Sequence, residues 1–346
     1  MLTQEAPEVV EVLRDGRRES VHRGDAAVAD TGGRVLFALG DPWRLVFARS
    51  AVKPFQAMAV VETGAADRFG FTPPELAVMS ASHGGESHHV QAVASILKRL
   101  GLGPEALQCG PHPPANPDAA RVLVVERRPP GPLHNNCSGK HAGMLAICRQ
   151  LDLPLRGYLD PAHPVQEMNR ANLALMAGLA PSDIVLAGDG CGAPAYALPL
   201  AALARAYARL VCPSDLPGPK QSAAMVVVAA MRAHPEMVGG TGRLCTRLMV
   251  AAGDRLVAKS GAEGVYCVGA SRPAWGLALK IQDGASRAVP PAVIEFLLQL
   301  GELSGPAVSG LADLHSPPLR DHQGQVCGAL RPVARLRHSR GEERGQ

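Results

Sequence analysis

The sequence predicts one mixed α/β domain. Strands from both ends of the chain share an antiparallel sheet, and helices fill the middle. Three observations lead there. Strand-like runs stand early, GGRVLFALG (32–40) and WRLVFAR (43–49), and late, in RLVAKSG, GVYCVGA and WGLALKIQDG between 255 and 284. The stretches between them carry helical spacing. At 346 residues and 47% hydrophobic, the chain has enough apolar side chain for a large core. No internal repeat at solenoid spacing and no linker interrupts it. Residues 1–330 therefore read as a single domain and 331–346 as a basic tail.

The elements follow in order. Residues 32–40 and 43–49 read as two strands around a turn at Gly40-Asp41-Pro42. Residues 53–63, KPFQAMAVVET, read as a helix, since Pro54 is tolerated only in a first turn. Helices are expected at 74–79 and at 87–101, where the pattern stops at glycine. A strand is expected at 121–125, and RRPPGP (127–132) is a loop because its prolines and glycine break both regular structures. Helices follow at 141–151 and 164–179. IVLAGDG (184–190) reads as a short buried strand running into a glycine-rich loop. Residues 220–232 and 243–252 are helix candidates, three strands fill 255–284, and 291–300 closes the series as a helix.

Composition excludes several functions. The net charge is +4, and the tail contributes +3 of it, so the body is nearly neutral. A nucleic-acid surface needs clustered positive charge, and 3% aromatic residues leave few platforms for stacking bases. Nucleic acid is not an expected partner, and the tail reads as a solvated, frayed end. The first twenty residues mix acids and bases, with no apolar run of about 7–15 residues before a cleavage site. No run reaches the roughly 18 apolar residues of a membrane span. The expected location is the cytoplasm, where the eight cysteines would be reduced thiols. Asn136-Cys137-Ser138 matches a glycosylation pattern but would not meet that machinery there.

Chemistry concentrates in a few segments. In ARSAVKPFQ, Ser50 and Lys53 stand three apart at a helix start, on one face. A serine hydroxyl needs a nearby base, and a lysine serves once burial or another cation lowers its pKa. Backbone N–H groups at the helix start can stabilise an oxyanion. S-x-x-K alone is weak, but Lys259-Ser260-Gly261 ends a late strand. Together they form the pattern of serine β-lactamases and penicillin-binding proteins. Between them, SASHGGESHH supplies Ser82 and His83, where that family has S-x-N or Y-x-N. NNCSGKHAGM and DGCGAP add Cys137, Lys140 and Cys191 in glycine-containing loops. Reactive thiols, metal ligands and buried thiols all remain open for them, since thiolates suit zinc and neutral lysine is an uncommon ligand.

SAVKPFQ, ASHGGESHH, NNCSGKHAGM, DGCGAP and AKSGAEGV, in that order, resemble the asparaginase II family of the Rhizobium etli type, the class 3 L-asparaginases. The resemblance runs from about Val9 to Leu330. It implies a serine β-lactamase-like fold, a homodimer, and hydrolysis of L-asparagine to L-aspartate and ammonia. It implies two Ser–Lys tandems, Ser50 with Lys53 and Ser82 with Lys259. It also implies zinc (Zn2+) held by Cys137, Lys140 and Cys191, with water as the fourth ligand. Asp189 matches a site aspartate, and Arg49 and His141 match positions beside the nucleophile and the metal lysine; these three are the expected substrate-binding residues.

Amide hydrolysis needs a nucleophile, a proton shuttle, an oxyanion site and a grip on the charged ends of the amino acid. Ser50 is the preferred nucleophile because of its helix start, with Lys53 as its base. Ser82 and Lys259 relay a proton to the departing ammonia, and Asp189 binds the substrate ammonium. Zinc with two thiolates carries little net charge and is expected to position substrate. His83, His88 and His89 are tempting metal ligands, but a loop histidine is usually solvated. The competing readings are glutamine or a β-lactam as substrate, a metal-bound water as nucleophile, and an inactive metal or amino-acid binding protein. Ammonia release from asparagine separates the first hydrolytic reading from the last.

Overall fold

The computed structural model describes residues 5–339. The large sheet is antiparallel and draws on both ends of the chain, as expected. Its strands run, in spatial order, Pro318–Arg320, Val326–Pro332, Glu8–Arg14, Arg17–Ala29, Ala274–Ile281, Val265–Ser271 and Leu256–Ser260. Helices lie between these groups in sequence, giving the mixed α/β architecture.

Arg17–Ala29 joins the halves of the sheet. Its first residues, RRES, are exposed and pair with Glu8–Arg14. Its last, DAAVA, are buried and pair with Ala274–Ile281 on one side and Val35–Leu39 on the other. The change from charged to small apolar residues marks where a ribbon becomes an interior strand. The Glu8–Arg14 and Arg17–Ala29 strands have no counterpart in the sequence reading, because their charged residues mask the alternation.

Four further expectations need correction. The runs at 32–49 do not form a hairpin. Val35–Leu39 stays in the large sheet, whereas Leu45–Phe47 joins a second sheet with Pro194–Pro199 and Val185–Gly188. The turn is held by the buried Asp25 carboxylate, which accepts from Asp41 N–H at 2.8 Å and pairs with Arg44 at 2.6 Å. That grip sends the chain away from its own preceding strand. Residues 121–125 are helical within Pro117–Val125, because Asn116 caps the first turn through Asp118 and Ala119 N–H; Val122, Val124 and Val125 are exposed. Val185–Gly188 is a strand but a mostly exposed one. Strand pairing also extends into the segment read as a frayed tail. Arg331 faces Glu11, and Arg337–His338 pairs with Ala38 and Phe37. Residues 340–346 of that tail lie outside the described residues.

The remaining helices fall close to expectation, including Lys53–Glu62, Pro73–Met79, Ser87–Arg99, Ser138–Gln150 and Pro164–Ala177. Lys53–Glu62 is buried on nearly every side, consistent with the uncharged run PFQAMAVV between its terminal residues. The Ser138–Gln150 helix crosses the Pro73–Met79 helix so closely that a Cβ at Gly139 would overlap the Val78 carbonyl oxygen. That crossing brings the loop after Pro73–Met79, which carries Ser82, next to Cys137 and Lys140. Among the described residues, no helix is long and apolar enough to cross a membrane.

Candidate active site

Three chain segments meet around one hydroxyl. Ser82 lies in the loop after the Pro73–Met79 helix, with its N–H donating to Val238 O at 3.1 Å and its carbonyl accepting from Arg243 Nη1 at 3.1 Å. Lys53 opens the Lys53–Glu62 helix, and Lys259 is on the edge strand Leu256–Ser260. Lys259 Nζ is 2.8 Å from Ser82 Oγ, and Lys53 Nζ is 3.2 Å from the same oxygen. Each ammonium is also tied to backbone carbonyls, Lys259 to Ser260 O and Lys53 to Ala81 O and Asn136 O. Ser82 and Lys259 are thus in contact.

Ser50 is placed differently from the simple picture. It lies on a short 3-10 turn, Arg49–Val52, ahead of the helix, and it is half-buried. Among the described residues, its hydroxyl has no hydrogen-bond partner; Lys53 bends inward to Ser82 instead. The preceding residue, Arg49, has φ +50°, a left-handed conformation that costs a non-glycine residue of order 1 kcal/mol or more. Its guanidinium is held by Asp189, with Nη2 2.7 Å and Nε 3.1 Å from Oδ1. Arg49 also borders a surface cavity of about 530 Å³, together with Phe47, Gly188, Glu263 and Lys280. The lysines lie deeper than that cavity.

Burial sets the electrostatics. Both lysines are fully enclosed, and a buried ammonium loses hydration. Burial pulls Lys259 down to about 7, with Lys53 and Arg243 nearby adding to the effect. Burial also lowers Lys53, partly opposed by Cys137. An amine near neutrality can take a proton from a hydroxyl, which an ordinary lysine cannot do at pH 7.

The second group adjoins the first. Lys140 Nζ donates to Cys191 Sγ at 3.0 Å, and Cys137 Sγ lies 3.0 Å from Asn136 Oδ1. Cys137 and Cys191 titrate as an interacting pair and are driven in opposite directions. Cys137 is pushed well down, first by its bond to Cys191, and Cys191 correspondingly up. Burial opposes charge on Lys140, but the facing sulfurs outweigh it and its pKa rises. Asp189 is lowered, its burial offset by Lys140 and Arg49. Two buried sulfurs beside a buried lysine nitrogen, each of which must give up its proton to bind, form a thiolate-rich donor set that suits zinc. His141 accepts from or donates to Tyr158 Oη at 2.7 Å through Nδ1, and Tyr158 Oη accepts from Gln108 N–H. With that oxygen's proton given to Nδ1, the buried Nε2–H of His141 is left without a partner.

Eight of the ten expected site residues thus fall into two adjoining groups, Lys53–Ser82–Lys259 and Cys137–Lys140–Cys191, and one flanking ion pair, Arg49–Asp189; the Ser50 hydroxyl bonds none of them, and His141 bonds Tyr158. Sequence reading passed over Arg243 and Asn136, which hold Ser82 and Lys53 through backbone carbonyls. Arg243 stands in GGTGRLC, a segment legible only as a failed phosphate loop. The histidines are not solvated. His83 and His89 are fully buried and stacked, their ring centroids 4.9 Å apart.

The family model for L-asparaginase II matches residues 10–332. No curated protein matches the chain. Among solved structures, Mglu in its native form aligns at 16% identity over 83% of this chain and 66% of that one, with a TM-score of 0.43. This chain thus spans just under two thirds of the Mglu chain. A β-lactamase (Mb2281c) from Mycobacterium bovis aligns at 16% identity over 81% of this chain and 95% of that one, with a TM-score of 0.41.

Proposed function

The chain belongs to the L-asparaginase II family, asparaginase-type amidohydrolases, and from that premise we propose that it hydrolyses L-asparagine to L-aspartate and ammonia by a serine mechanism. The observation that carries the proposal is Ser82 Oγ bridging two buried lysines, Lys53 and Lys259. A hydroxyl between two amines of lowered pKa is a proton relay.

Ser50, the more open of the two serines, attacks the side-chain amide carbon. Its proton passes to neutral Lys53. The tetrahedral species collapses as Ser82 gives a proton to the leaving nitrogen, replenished from the lysines, and ammonia departs from an acyl-Ser50 ester. Water then attacks that ester and gives its proton to the same relay, which releases aspartate and restores Ser50. Asp189 receives the substrate ammonium, Arg49 the α-carboxylate, and His141 Nε2–H is a spare donor to the amino-acid end. Cys137, Lys140 and Cys191 would hold zinc, which when bound would supply a fixed centre of little net charge that positions the substrate. The exposed Trp43, Leu45, Phe47 and Val185 on or beside the small sheet support the homodimer reading, because a contiguous apolar face favours association.

Ammonia release from asparagine and from glutamine, and ring opening of a β-lactam followed by its absorbance change, measured on one preparation, test the substrate. Mass spectrometry of acid-quenched enzyme then tests the serine. An aspartyl adduct on the peptide containing Ser50, absent from Ser50→Ala, is expected. Wild-type turnover in both Ser50→Ala and Ser82→Ala would sink the mechanism.

A further inference from the structure

A second cluster lies outside the serine and cysteine groups, where the Ser87–Arg99 helix begins. Glu86 is the residue before that helix, and His88 and His89 are in its first turn. His89 Nε2 is 2.9 Å from Glu236 O. A carbonyl only accepts, so Nε2 carries the proton, and in the neutral ring Nδ1 is then a bare acceptor. Burial keeps the ring neutral, drawing its pKa down to about 4.

That acceptor faces another. His89 Nδ1 is 3.9 Å from Glu86 Oε1. The Glu86 carboxylate receives the Thr241 N–H and hydroxyl, and despite burial its pKa falls, so it is ionised. Two acceptors confront each other with no donor between them. His89 Nδ1 has no hydrogen-bond partner, and neither has the buried His88 Nε2. Each such orphan costs about 1–3 kcal/mol. The rings of His88 and His89 are 3.9 Å apart, and one donor atom from each of Glu86, His88 and His89 lies within 4.8 Å of the others. The surrounding backbone leaves space for this: a Cβ at Gly84 or Gly240 would come within 2.7 Å of Glu86 Oε1.

We propose that Glu86, His88 and His89 bind a divalent transition metal of the zinc, cobalt and nickel class, with water in the open position. Two imidazole nitrogens and a carboxylate are the ligand set such ions prefer. Bonds of about 2.1 Å at a tetrahedral centre set ligand atoms about 3.4 Å apart, so the Glu86–His89 pair at 3.9 Å must close by about half an ångström and donor atoms as far apart as 4.8 Å by more than one, within reach of side-chain rotation. His83 is not a ligand: its nitrogens are engaged by Ser138 Oγ and Gly85 N–H. The ion would lock Glu86 to Thr241. The same two segments also meet at Ser82 N–H and Val238 O. Occupancy would therefore stiffen the loop that presents Ser82, independently of the cysteine group and of the serine mechanism.

The test removes the cysteine group first. Cys137→Ser/Cys191→Ser, stripped with chelator, is equilibrated with Zn2+ and its metal content measured after gel filtration. About one zinc per chain is expected. Co2+ in that variant should give visible ligand-field bands without a thiolate charge-transfer band. Adding His88→Ala should abolish zinc retention and its rise in Tm. Glu86→Gln, which preserves shape, should weaken binding about tenfold or more. A folded cysteine-free variant that retains no zinc, or retention unchanged by Glu86→Gln, overturns the proposal. Where the cysteine-free chain does not fold, wild type is titrated with Co2+. A second class of bands lacking thiolate character and lost in Glu86→Gln supports the site; thiolate-type bands alone reject it.

Discussion

Lys259 offers the sharpest test of how burial becomes chemistry. A lysine at its ordinary 10.5 is neutral in about one molecule in 3,000 at pH 7, whereas at about 7 half the molecules carry a neutral amine. The buried strand end therefore raises the competent population about a thousandfold. The neutral fraction grows as pH rises, so kcat/KM should climb through an acid limb centred near 7 and level off by about pH 8. Lys259→Ala should lose that limb and cost about 10²–10⁴ in kcat/KM. Lys259→Arg should be as poor, because a guanidinium stays charged at every accessible pH. The assay is ammonia release from L-asparagine across pH 5.5–9, with circular dichroism at each pH to confirm folding. A wild-type profile flat from 6 to 8, or the same limb persisting in Lys259→Ala, would refute the assignment of a near-neutral lysine to the reaction.

Other expectations follow from single contacts. Gly139→Ala pushes a methyl group into the Val78 carbonyl, a backbone atom that cannot swing away. It should cost about 1–3 kcal/mol in urea unfolding and lower activity with it, since the same crossing sets Ser82 beside Cys137. Asp25→Ala removes the buried carboxylate that Arg44 and the Asp41 N–H share and frees the Gly40–Pro42 turn. Its cost should be about 3 kcal/mol, the low end for a broken buried pair because Arg44 keeps some exposure; a loss under about 1 kcal/mol would show that the turn holds without it. Asp189→Asn should raise KM tenfold or more with a smaller change in kcat, as expected of a group that grips the ammonium end; a pure kcat effect would contradict that role. Phe47→Asp should shift the chain to monomer in sedimentation; an unchanged dimer would place the interface elsewhere.

Much of this protein is legible along the chain. The helices Lys53–Glu62, Pro73–Met79, Ser87–Arg99, Ser138–Gln150 and Pro164–Ala177 and the three strands after 255 follow from periodicity and from proline and glycine punctuation, which depend on neighbours a few residues apart. The residue types of the site were legible too, because NNCSGKH and DGCGAP are dense in groups that carry chemistry and poor in groups that pack, and SAVKPFQ and AKSG pair a serine with a lysine. Errors fell where long-range contacts overrule local preference. The valines at 122–125 favour a strand, yet Asn116 caps a helix there. The runs at 32–49 read as a hairpin until Asp25, distant in sequence, takes the turn.

The sequence by itself determined the family, through its five ordered motifs, and most of the helices, for these rest on short stretches of chain. Only the tertiary structure decided which serine Lys53 touches, that burial draws Lys259 to about 7, and that Cys137 and Cys191 are driven in opposite directions. Only it turned the histidines of ASHGGESHH inward against Glu86. Proton affinity and ligand geometry depend on burial and on partners brought from far along the chain, and no local pattern of residues encodes either.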